Sequence, residues 1–159
     1  MKRKRYQYIF YFSKMVGHWK GHYTYENKQL QKVIGFEKTY FEITIEHFDG
    51  VNFNGIVKDD TATGGMKETG KIIGKVENDK ISFQKLMPIN DQINLKGERI
   101  KTNQKHPTLY YFGTFSENKT TIVGNWKFKR RIEFIFGIIP ILFNPGKGDW
   151  EMNFNSEKI

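Results

Sequence analysis

Residues 17–25 read GHWKGHYTY, and the first three letters set a pattern that returns twice. Trp19 stands in GHW, Trp126 in GNW and Trp150 in GDW. The chain has three tryptophans, and each has a glycine two residues before it and a charged residue (Lys20, Lys127, Glu151) directly after it. On an extended strand, residues i and i+2 point to the same side. Each indole then shares a face with a glycine, and the charge takes the other face. One structural arrangement, used three times on strands, accounts for the recurrence.

The alternation runs well beyond these tripeptides and predicts eight strands, over 17–26, 37–48, 50–58, 69–77, 79–87, 108–116, 119–129 and 147–155. In the first, Trp19, Gly21, Tyr23 and Tyr25 oppose His18, Lys20, His22 and Thr24. In the second, Phe41, Ile43 and Ile45 oppose Glu42, Thr44 and Glu46, and parity puts His47 on the inner face as a satisfied core histidine. One face is aromatic and glycine-rich and the other charged, which is the signature of an antiparallel sheet wetted on one side.

The apolar face carries a glycine on nearly every strand: Gly21, Gly55, Gly74, Gly113, Gly124 and Gly148. Strand glycines mark strong bending or close approach, as a small closed barrel requires. The connections FDG, END and SENK are tight and polar, whereas the four that alternate with them are long. That alternation predicts an all-β, antiparallel up-and-down β-barrel, with tight turns at one end and an elaborated mouth at the other. The last two Trp strands and the first then form one arc of wall. The segments 92–100 and 131–143 also have extended character, so ten strands is the alternative to eight.

A G-x-W opening the first strand of such a meander resembles the calycin group of lipocalins, fatty-acid-binding proteins and avidins. The resemblance covers about residues 17–155 and rests on the three tripeptides together with the strand pattern. It implies a lipocalin-like barrel with a cavity, and for Trp19 a structural role as the plug of the closed end. The other lipocalin motifs and the polar set that avidins use for biotin are missing, so the resemblance implies no particular ligand.

Composition fits this reading. At 159 residues the chain has room for one core, expected as a single barrel domain over 17–159 after a basic-aromatic arm over 1–16. Aromatic residues make up 16%, and there is no cysteine, which excludes disulfides and thiolate chemistry and makes a cytoplasmic location the expectation. The basic start lacks the long apolar core and cleavage site of a secretion signal. The formal net charge of +9 suits either a lysine-rich surface or an anionic partner.

Catalytic signatures are missing, so binding rather than catalysis is the expectation, with no cofactor. His18 and His22 are four apart, which on a strand separates them by about 13 Å at Cα and suits no metal. Asp59 and Asp60 are expected in a solvated loop. The informative polar residue is Lys85, which shares a face with Ile81 and Phe83 near the mouth. It must snorkel, pair with an internal acid or await an anion.

The expected ligand-binding set is Tyr23, Tyr25, Lys85, Tyr111, Trp126, Arg130 and Trp150. Aromatic walls and cations at the rim suit a small anionic or aromatic molecule, a nucleotide type among them. Two other readings stay open: a module for nucleic acid or a membrane surface, and a barrel with a filled core. The charges are dispersed, with Glu42, Glu46, Asp149 and Glu151 on the same outer face as the lysines, which disfavours nucleic acid, while the apolar run 132–143 offers a peripheral membrane contact.

Overall fold

Alternating side chains become strands almost where the pattern places them. In the computed structural model, which describes residues 15–88, 90–93, 96, 98–102, 105–129, 131–135, 138–143 and 146–156, β1 spans Gly17–Tyr23, β2 Thr39–Phe48, β3 Asn52–Asp59, β4 Gly70–Glu77 and β5 Lys80–Leu86. After two short strands, β6 (Asn90–Ile93) and β7 (Arg99–Thr102), come β8 (Leu109–Phe115) and β9 (Thr121–Phe128). A second short pair, β10 (Arg131–Ile135) and β11 (Ile139–Phe143), precedes β12 (Lys147–Phe154). The expected arm over residues 1–14 lies outside the described residues.

Eight of these strands close in the order β1-β12-β9-β8-β5-β4-β3-β2, every neighbour antiparallel. This is the closed up-and-down barrel of lipocalin type. The candidate segments 92–100 and 131–143 contribute to β6 and β7 and to β10 and β11, but these pair as separate two-stranded sheets, so the barrel has eight strands, not ten.

The tight turns after residues 48, 77 and 115 sit together at one end. Asp49 Oδ1 accepts the amides of Val51 and Asn52 at 2.8 and 2.7 Å, which fixes the first. Asn78 (φ 60°) and Lys119 (φ 58°) take the left-handed conformation in the other two. The four long connections all belong to the opposite end. One contains α1 (Lys28–Ile34), whose Asn27 cap accepts the amides of Gln29 and Leu30 and whose Gly35 closes it at φ 85°. Another contains a short 3-10 turn, Thr61–Thr63.

The interior is continuous with the predicted face. Phe41, Ile43, Ile45, Phe53, Val57, Ile72, Ile81, Phe83, Ile122 and Met152 are all buried. Parity fails once. The β2–β3 ladder shifts register between Ile45 and His47, so Phe48 turns inward and His47 is exposed rather than a core histidine.

All three tryptophans are buried, and every indole N–H donates to a backbone carbonyl. Trp19 donates to Met15 O at 3.1 Å, Trp126 to Thr24 O at 3.0 Å, and Trp150 to Phe112 O at 3.0 Å and Asn125 O at 3.2 Å. Antiparallel pairing sets Trp126 opposite Gly148 and Trp150 opposite Gly124. A Cβ on Gly148 would come within 2.9 Å of Trp126 Nε1, and one on Gly113 within 2.7 Å of Trp150 Cζ2, so strand glycines make room for both indoles. Trp19, opposite Phe154, packs edge-on against Phe154 and Phe115 near the turn end.

Candidate functional site

Among the described residues, a buried charge pair stands at one place in the barrel interior. β5 brings Lys85 inward, and the last residue of β3 brings Asp59 to meet it across β4. Lys85 Nζ stands 2.5 and 2.7 Å from the two carboxylate oxygens, and the side chains are 4% and 2% exposed. Of the three fates open to Lys85, the structure selects pairing with an internal acid.

Asp59 corrects the expectation of a solvated loop: it ends a strand, buried on the face of Phe53, Gly55 and Val57. Its neighbour Asp60 caps the 3-10 turn by accepting the amide of Ala62. Period-two counting through β3 reaches Asp59, so the signal was present; ending the strand one residue early hid it.

An aromatic cluster begins beside the pair. Lys85 Nζ lies 5.5 Å from the centre of the Tyr23 ring, a cation–π distance. Tyr23 meets Tyr25 and Trp126 edge-on at 5.9 and 5.7 Å, and Tyr25 meets Trp126 at 5.0 Å. Tyr111 stacks on Phe83 at 4.7 Å and lies 6.4 Å from Trp126; Trp150 stands edge-on to both Phe83 and Tyr111 at 5.5 Å. Of the expected residues, Tyr23, Tyr25, Lys85, Tyr111, Trp126 and Trp150 form one cluster, and Arg130 lies outside the described residues. Phe83 and Thr39 belong to the cluster as well and were not anticipated.

Electrostatics follows from enclosure. Burial pushes the phenols of Tyr23 and Tyr111 well above their ordinary range, and the negative charge of Asp59 adds to that shift. Both hydroxyls therefore stay protonated at neutral pH. Thr39 lies beside Tyr23, and Thr39 Oγ1 donates to Thr63 O at 2.9 Å. The polar network thus reaches the 3-10 turn at the long-loop end.

The cluster can offer a guest flat aromatic faces, a carboxylate acceptor and an ammonium donor. The indole N–H groups are already engaged by carbonyls, which leaves the tryptophans only their faces. Among the described residues, no three His, Asp or Glu side chains gather as metal ligands. His18 Nδ1 is bonded to Thr44 Oγ1 at 3.1 Å, and His22 leans on the Tyr40 ring. A depression of about 540 Å³ opens on the outer wall, bordered by Lys20, His22, Tyr40, Glu42, Lys58 and Asp60.

No protein-family model matches the sequence, and no curated protein matches it either. The closed eight-stranded meander is lipocalin-like in topology, and a barrel of this size is consistent with holding one small ligand.

Proposed function

We propose that this barrel is a non-enzymatic receptor for a small molecule with an aromatic body and a polar edge, held in the long-loop half of its interior. The observation that supports it is the buried Lys85–Asp59 pair beside a cluster of rings that starts at Tyr23. Burying two charges is expensive, and well-packed apolar residues of the same volume often serve stability as well or better. A barrel needs no such pair to close. A ligand that donates to Asp59 and accepts from Lys85, with its plane against Tyr111, Tyr23 or Trp126, gives the pair a use.

The charge balance refines the ligand. Asp59 already neutralises Lys85, so a neutral ring system with a donor–acceptor edge fits better than a simple anion, which would have to break the pair. Nucleobase-like edges have that character. Titrating 1-naphthol, a naphthalene sulfonate and a nucleoside monophosphate against tryptophan emission tests the reading, because Trp126 and Trp150 lie in the cluster. Binding of one of them should vanish in a Lys85→Met/Asp59→Leu double variant that stays folded. Undiminished binding in that variant would sink the proposal.

A filled-core barrel is the second reading. The near-complete burial of both charged side chains and the close Phe83–Tyr111 stack favour it. On that reading no aromatic probe binds, and the double variant differs from the parent only in stability.

A further inference from the structure

The outer wall shows a charge partition that the linear sequence conceals. By strand parity alone, Glu42, Glu46, Asp149 and Glu151 share the outward face with the lysines. The barrel order separates them. β2, β1 and β12 are consecutive, and their outward faces hold all four of those carboxylates with only Lys20 and Lys147. Lys20 lies 3.6 Å from Glu42, and Lys147 2.9 Å from Glu26. The opposite wall, β3-β4-β5-β8-β9, turns out Lys58, Lys71, Lys75, Lys80 and Lys127 against the single carboxylate Glu77.

That basic wall also exposes apolar and aromatic surface. Cross-strand register lines up Ile73, Gln84, Tyr110 and Lys127 on one rung, and Lys75, Ser82, Phe112 and Asn125 on the next. Phe112 is 42% exposed and Ile73 56%. Lys127 Nζ stands 5.5 Å over the Phe112 ring, so ring and charge are presented together. Tyr110 and Phe112 are two apart on β8, with small polar side chains rather than acids between the lysines. Five neighbouring strands make a strip about 19 Å wide.

We propose that this wall docks single-stranded nucleic acid, in addition to the ligand site inside the barrel. Lysines meet the phosphates, and bases stack on Tyr110 and Phe112, the combination by which single strands are held without sequence reading. Charge complementarity selects an anionic partner, and the exposed Phe112 ring with half-buried Tyr110 beside it selects one with planar groups to stack. A duplex offers no such unstacked bases, and the wall presents no helix to enter a groove.

The experiment is fluorescence anisotropy of a labelled 15-mer oligo-uridine with the full chain, from 50 to 200 mM salt. Binding should weaken as salt rises, and Lys71→Gln/Lys127→Gln should reduce the salt slope by about 1.4. Tyr110→Ala and Phe112→Ala should each weaken binding roughly 5- to 100-fold at fixed salt. Lys20→Gln/Lys147→Gln on the opposite wall should leave affinity within about twofold. All six are surface positions, so the folded state is retained and checked by circular dichroism. No binding at 50 mM salt overturns the proposal. So does equal loss from the two lysine pairs, which would mean attraction to net charge alone. A third overturning result is capture by phosphatidylserine vesicles with no effect of the aromatic substitutions on oligonucleotide binding, which would assign the wall to a membrane surface.

Discussion

Gly124 and Trp150 face each other across the β9–β12 ladder, and a Cβ on Gly124 would lie 1.8 Å from the carbonyl oxygen of Phe112. The indole of Trp150 donates to that same oxygen. Gly124→Ala therefore drives a methyl into a backbone atom that the tryptophan also uses, and neither can give way cheaply. The expected loss is at least ~3 kcal/mol by urea unfolding, at the upper end for overpacking. Gly35→Ala is the contrast: its Cβ meets nothing within 4 Å, but φ is 85°. Only the left-handed strain is felt there, about 1–2 kcal/mol. Equal losses at the two sites would contradict the close backbone approach at Gly124.

Trp19 carries the other end of the barrel. It packs between Phe115 and Phe154, and its N–H ties down Met15, which is itself buried. Trp19→Ala should cost roughly 3–5 kcal/mol, as large-to-small core aromatic changes do. The lost hydrogen bond should also free the backbone at Met15, seen as faster amide exchange around residues 15–17. Unchanged exchange there would show that the indole does not anchor the entry to β1.

The ion pair predicts a non-additive pair of substitutions. Lys85→Met leaves Asp59 buried without its cation and should destabilise by about 3–5 kcal/mol. Adding Asp59→Leu removes the stranded charge and should restore most of that loss, so the two substitutions couple strongly in a double-mutant cycle. If the double variant is as unstable as the single one, the pair contributes through packing rather than charge.

The sequence was most legible where periodicity is strict. Phe41, Ile43, Ile45, Trp126 and Trp150 all take the predicted face, since a one-residue slip would expose every one of them. It was least legible where one residue breaks the count. The register shift after Ile45 reversed His47, because a bulge leaves no mark in the hydrophobic pattern. The helix α1 was missed although Asn27 and Gly35 bracket it as caps, since seven residues with no buried side chain carry no periodic signal. Register alone showed which lysines share a wall, because outward parity does not say which side of a closed barrel a strand occupies.

Tyr23 and Tyr111 predict an alkaline limit to stability. Burial, and then the charge of Asp59, raise both phenols in the folded state. In the unfolded chain each ionises at about pH 10. Below that pH both states are protonated and these groups give no pH dependence. Above it the unfolded state loses protons that the folded state keeps, so stability falls as pH rises towards the folded values. The slope is bounded at about 1.4 kcal/mol per pH unit for each tyrosine. Urea unfolding between pH 8 and 11 should be flat at first and then decline, and the decline should be shallower in Tyr23→Phe and Tyr111→Phe. Lysines titrate in the same range, so the comparison with the phenylalanine variants isolates the phenols. Absorbance at 295 nm gives an independent reading: of the eight tyrosines, Tyr23 and Tyr111 should ionise only as the barrel opens. A folded protein whose eight tyrosines all titrate together near pH 10 would mean that water reaches the cluster freely.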